Sequence, residues 1–151
     1  MCAFLTGEKT YIPGPLSENN TDIHSNSIDF SDVRGQDAVI EFIVVAAAGG
    51  HNILMLGSPG CGKSMIAKRI PTILPELSAT EALGITKIYS VAGLLNSRGE
   101  LIDKRPFRAP HHNASTNSLI GGGWGATPGE ISLAHNGVLS IILAPTSVLI
   151  V

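Results

Sequence analysis

The sequence predicts an α/β fold, and three observations carry that prediction. Ile53-Leu54-Met55-Leu56 is a short uninterrupted apolar run, the pattern of a strand buried on both faces. A glycine-rich loop, Gly57 to Gly62, follows at once and leads into a helical stretch. A second strand candidate, Ile85 to Val91, and a further apolar run, Gly137 to Leu143, supply later strands, so that strand, helix, strand and strand succeed one another as in a parallel sheet covered by helices on both faces.

Composition narrows the class. The chain has 151 residues, of which 44% are hydrophobic and 15% charged, against a usual charged share of roughly 25%. A disordered polyampholyte, a coiled coil and a collagen-like fibre are excluded. Cys2 and Cys61 are too few for a disulfide framework, and no Cys/His spacing suits a metal, so a cytoplasmic chain is expected. Residues 1–41 carry two basic and seven acidic groups, and residues 42–151 eight basic and five acidic. A mildly basic body suits an anionic ligand but does not establish nucleic-acid binding. The last 21 residues, Ile131 to Val151, hold no Asp, Glu, Lys or Arg. Ser132, His135, Asn136, Gly137, Ser140, Pro145, Thr146 and Ser147 interrupt them, against the roughly 20 mostly apolar residues of a spanning helix, so no membrane role is expected.

Along the chain, Thr6 to Ser27 has no apolar period and reads as linker, which assigns residues 1–27 to a linker and 28–151 to the folded unit. Val39, Ile40, Ile43, Val44 and Ala47 recur at helical spacing between Asp37 and Ala48, and Gly49-Gly50 stops that helix. The strand Ile53 to Leu56 comes next, and a helix is expected from Lys63 to Ile70, ended by Pro71. Ser78 opens another helix, with Glu81 three residues on as its capping-box partner. Ala92 to Ala134 is rich in glycine and proline and reads as turns.

Gly57-Ser58-Pro59-Gly60-Cys61-Gly62-Lys63-Ser64 meets every fixed position of G-x-x-x-x-G-K-[ST], with a buried strand before it and a helix after. A phosphate chain needs several backbone N–H groups converging on one concavity, and only a loop of small residues wraps that closely. The helix start adds unpaired N–H groups and a positive dipole end. Lys63 is the candidate point charge for the β- and γ-phosphates, and Ser64 the candidate ligand of Mg²⁺. The implied ligand is ATP with Mg²⁺.

Arg105, Phe107, Arg108, His111 and His112 lie close in sequence, a candidate nucleic-acid contact or subunit-interface loop, or simply a solvated loop. His111-His112 is a poor metal site, because adjacent side chains diverge and no third ligand is spaced to join them. His51 and His135 read as local hydrogen bonders, and Trp124 as a loop anchor or an interface residue.

Asp32-Val33-Arg34-Gly35-Gln36, Ala46 to Asn52 and Ser90-Val91-Ala92-Gly93-Leu94 flank the loop in a recognisable pattern. Together with Arg105 to His112, Gly121-Gly122-Gly123 and Pro128 to Leu139, they resemble the Mg-chelatase-like AAA+ ATPases, nearest to the ComM/YifB branch. Ala3 to Glu8 resembles the tail of a separate N-terminal domain in those proteins. The resemblance implies a P-loop AAA+ module working as a ring with ATP between neighbours, in a family linked to DNA processing and to Mg²⁺ insertion. It also implies that Ile28 to Gln36 lies near the adenine.

The pattern breaks after Leu139. Where the family carries the Walker B Asp-Glu pair, this chain has Ile142 and Leu143, and no carboxylate follows Glu130. No catalytic residue is therefore assigned, since neither side chain orients water or supports a metal. The resemblance further implies that a sensor strand, an arginine finger and a helical lid are absent. On that pattern the sheet is incomplete at its C-terminal side, with a gap between the P-loop strand and the third strand. The expectation is an ATP-binding module or, alternatively, a non-catalytic interaction module or truncated remnant.

Overall fold

The computed structural model describes residues 28–95, 100–122, 125–144 and 147–150. The 1–27 linker and Trp124 lie outside the described residues.

Helix α1 runs Asp37–Ala48, as its helical period and Gly49-Gly50 dictate, and strand β1 is Ile53–Leu56, the expected apolar run. Helix α2 is only Lys63–Ala67, shorter than the expected helix to Ile70. Pro71 has no N–H to return to the carbonyl four residues back, so the chain tightens into a 3₁₀ turn, Ile70–Thr72. Helix α3, Ala79–Val91, starts on a full capping box: Ser78 Oγ accepts from Glu81 N at 3.3 Å, and Glu81 Oε2 accepts from Ser78 N at 2.8 Å.

The expected strand Ile85 to Val91 is instead the second half of α3. Ile85, Ile88 and Val91 fit a helix face as well as a strand, and the cap upstream decides between them. The stretch read as turns holds more structure than expected: β2 Phe107–Arg108, α4 Thr116–Ile120, the small hairpin β3 Gly121–Gly122 with β4 Thr127–Pro128, and α5 Glu130–Leu133.

The remaining strands, β5 Val138–Ala144 and β6 Ser147–Ile150, correct the expected sheet. The strand order is β1-β6-β5-β2. Only β2 and β5 are parallel, with Phe107 opposite Val138. Strand β6 is antiparallel to both neighbours, Ile150 facing Ile53 on one side and Ser140 on the other. There is thus no gap between β1 and β5, because β6 fills it. The direction follows from the connection: only Pro145 and Thr146 separate β5 from β6, which suits a hairpin and not a parallel crossover. The uncharged tail is explained by the same placement, since two inner strands of a sheet want apolar side chains. Among the described residues no helix is long and apolar enough to cross a membrane.

Strand alternation sorts the core. Met55, Val148 and Ile150 are buried on one face with Ile43 of α1 and Ile66, Ala67 and Ile70 of α2 and its following turn, and Ile142 packs at the edge of this cluster. Leu139 points by alternation to the other face and is buried, as are Ala82 and Ile85 of α3 and Leu133 of α5, all apart from the first cluster. Leu54 and Leu56 share that second face but remain 55% and 73% exposed. Strand β1 is therefore buried on one face only and not on both as its apolar run predicts, since α3 and α5 cover the β5 side of the sheet and not β1.

Candidate functional site

The loop Gly57–Gly62 leaves the C-terminal end of β1 and enters α2. Gly60 and Gly62 take φ of +82° and +91°, a conformation that strains any residue with a Cβ. Gly62 is the residue before α2 and brings no side-chain cap, so the first N–H groups of the helix have no side-chain partner. With α2 only five residues long, its dipole is small, and Lys63 and the loop N–H groups carry most of the site's positive potential. Lys63 Nζ lies 2.8 Å from the carbonyl oxygens of both Gly57 and Ser58, and 3.4 Å from Cys61 Sγ. The ammonium is folded back over the concavity of its own loop. Ser64 is exposed in the first turn of α2, and Cys61 is half-buried.

Residues 28–36 are tied to this loop from outside. Arg69 Nε donates to the Asp29 carbonyl at 2.7 Å and its NH2 group pairs with Asp32 Oδ2 at 3.1 Å. Gln36 Nε2 donates to the Cys61 carbonyl at 3.1 Å. Sequence reasoning gave Gln36 no such bond, because its partner is 25 residues away.

The other candidates do not assemble into a site. Arg105 is bound inward, donating to the carbonyls of Pro75 at 2.6 Å and Asn136 at 2.8 Å and pairing with Glu81 at 3.4 Å. Arg108 makes a two-pronged pair with Glu130, both contacts 2.6 Å. The hydrogen bond to Glu130 holds the Arg108 guanidinium protonated even more firmly than usual, and burial pushes the nearby Tyr89 hydroxyl up. Hydrogen bonds from Ser78, with Arg105 adding to them, hold the Glu81 carboxyl below its ordinary value. These arginines are struts between elements, not an outward basic cluster. His111 and His112 are exposed with ring centroids 4.2 Å apart, and no group of three metal-ligating side chains exists among the described residues. His135 lies beside Gly84, and the His51 ring covers Gly49. Ile142 faces the core between Ser140 and the strand's end, leaving position 142 without any charge-bearing group.

Residues 29–144 match the model of the family described as magnesium chelatase, subunit ChlI. The chain is 47% identical over 131 residues to an uncharacterized protein of Mycobacterium tuberculosis, covering 86% of this chain and 26% of that one. It is 46% identical over 142 residues to the uncharacterized protein YifB of Escherichia coli, covering 92% and 27%. Competence protein ComM of Haemophilus influenzae is 48% identical over 115 residues, covering 76% and 22%. The chain spans about a quarter of the length of these curated relatives.

Proposed function

Because the chain belongs to the magnesium chelatase subunit ChlI family, in its ComM- and YifB-like part, we propose that it binds ATP with Mg²⁺ through Gly57, Ser58, Pro59, Gly60, Cys61, Gly62, Lys63 and Ser64 and turns it over slowly or not at all. The observation that carries the reading is the Lys63 ammonium held over a loop whose two central glycines have positive φ. An ammonium resting on neutral carbonyls exchanges them for phosphate oxygens, where full negative charge makes the hydrogen bonds stronger. The loop N–H groups bind the same oxygens, and the exposed Ser64 hydroxyl is available to the cation. Mg²⁺, when bound, neutralises phosphate charge and keeps several waters. Gln36, bonded to Cys61, fixes the loop against the 28–36 segment, which we assign to the base side of the ligand.

Turnover is the weak step. Position 142 is an isoleucine packed on the core, so no carboxylate there supports the cation, and Leu143 offers none to orient water. A ring assembly, a DNA-related role and the activities of the longer relatives are extensions of this proposal.

The test is a calorimetric titration of the chain with Mg·ATP beside Lys63→Ala, followed by a phosphate-release assay. The expected result is saturable heat from the parent chain, lost or weakened at least tenfold in the variant, with phosphate release at background. The tenfold figure reflects one charge-assisted contact, worth about 1.5–3 kcal/mol. Equal heats from both proteins, or none from either, refute nucleotide binding by this loop.

A further inference from the structure

Residues 29–36 are fastened at both ends of helix α2. At its start, Gln36 Nε2 donates to the Cys61 carbonyl of the Gly57–Gly62 loop at 3.1 Å. At its far end stands Arg69, the residue after the C-cap Lys68. Its guanidinium donates to the Met65 carbonyl at 3.0 Å, the Asp29 carbonyl at 2.7 Å and Asp32 Oδ2 at 3.1 Å. The first oxygen belongs to α2 and the other two to the 29–36 strap. Asp32 Oδ2 also accepts from Asp29 N at 3.4 Å, so one carboxylate shapes the 3₁₀ turn Phe30–Asp32 and receives the arginine. Between the two fastenings, Phe30 and Val33 are buried in the cluster that contains Ile66, Ala67 and Ile70. Only 13% of the Arg69 side chain is exposed, against 55% for Asp32. The planar fork of an arginine serves several acceptors at once, which the single nitrogen of a lysine does in no fixed geometry.

We propose that Arg69 is a positioning residue for nucleotide binding: it locks the 29–36 strap to α2, so that the surface offered to the nucleoside is set before the ligand arrives. The inference rests on the reading that the loop takes the phosphates and the strap the base side. Without Arg69, the one side-chain bond joining strap to loop is that of Gln36, and the turn at Asp29 to Asp32 is free to lift from the end of α2. Each lifted state is incompetent for the nucleoside, and the apparent dissociation constant rises by the inverse of the competent fraction. The phosphates meet the loop N–H groups, Lys63 and Ser64, and none of these hangs from the strap turn. Loss of the lock therefore weakens a nucleoside triphosphate more than the same phosphate chain without its nucleoside. Loss of a positive charge alone acts the other way, since it weakens the more highly charged bare phosphate chain at least as much. The direction of the change thus separates positioning from electrostatics.

Calorimetric titrations of the whole chain with Mg·ATP and with Mg·tripolyphosphate test it, the readout being the ratio of the two dissociation constants. Arg69→Met keeps the apolar stem and removes the fork. It is expected to weaken ATP at least about threefold relative to tripolyphosphate, the effect of a strap seated about a third of the time. Arg69→Lys keeps the charge without the fork and is expected to fall between the parent and Arg69→Met. Asp32→Asn, at a half-exposed side chain, is expected to shift the ratio less but in the same direction, and it replaces Arg69→Met if that variant loses the parent's circular dichroism spectrum. Lys68→Met removes the neighbouring exposed cation and is expected to leave the ratio as in the parent or to move it the opposite way. Equal weakening of both ligands in Arg69→Met, or an unmoved ratio, overturns the positioning role while leaving phosphate binding by the loop intact. A parent chain that binds neither ligand overturns the nucleotide reading itself and this inference with it.

Discussion

Replacing Ile150 by alanine tests the most consequential difference between the expected and the observed sheet. Ile150 is 4% exposed and stands in β6 with Ile53 on one side and Ser140 on the other. The substitution removes three side-chain carbons, a transfer loss of about 2.4 kcal/mol at roughly 0.8 kcal/mol per carbon. An unfilled cavity adds to this, for a total of about 2–4 kcal/mol. Domains are usually stable by only about 5–15 kcal/mol, so a large part of the margin goes. For a chain of this length the midpoint of thermal unfolding should fall by about 5–15 °C. Urea and thermal unfolding followed by circular dichroism measure both quantities. Ile120→Ala, at a 64% exposed position of α4, is the control and should change stability by under about 0.5 kcal/mol. If Ile150→Ala is as silent as the control, residue 150 is not buried and β6 does not occupy the slot between β1 and β5. A double-mutant cycle with Ile53→Ala sharpens the result, since directly opposed strand residues should couple by about 0.5–1 kcal/mol.

Glu130→Ala should destabilise the chain by about 1–2 kcal/mol in urea unfolding, because it removes both contacts to Arg108 and leaves that guanidinium only 31% exposed without its partner; a change within error would mean water replaces the carboxylate at no loss. The Glu81 carboxyl is held below its ordinary 4.5 in the folded chain, so its contribution is present above that pH and is lost as pH falls through the lowered folded value. Glu81→Gln should therefore be less stable than the parent near neutrality, with the gap closing below pH 4.5; a gap independent of pH would refute the electrostatic account and leave only the cap geometry.

What the sequence made legible was local. α1 has a helical period closed by Gly49-Gly50, β1 is a short apolar run closed by Gly57, and the capping box at Ser78 needs only residues three apart. The Gly57–Ser64 motif is likewise eight consecutive residues, so it could be picked out as a candidate without a structure. What stayed hidden depended on distant partners. Ile85 to Val91 changes from strand to helix because of a cap seven residues upstream. α4 is capped by Ser115, whose Oγ accepts from Ser118 N at 3.2 Å, but the surrounding glycines mask so short a helix. Arg105 and Arg108 looked like one basic patch because their acceptors are 22 to 31 residues away. Strand β6 was invisible as a sheet member, since an apolar run does not announce which edge it will pair with.

The pairing of Ile53 with Ile150 joins residues nearly a hundred positions apart, and this sets an order of events during synthesis. At about 5–20 residues per second, β1 leaves the ribosome some 5–20 s before the strand that will lie beside it exists. Throughout that interval the Gly57–Gly62 loop hangs from a strand whose β6 partner is not yet made, and the apolar side of α1 lacks most of the sheet it covers. Non-local pairing of this kind slows folding and lengthens exposure to aggregation. The apolar side chains that Ile53 and Met55 bring to the core therefore wait for β5 and β6 to close the sheet over them.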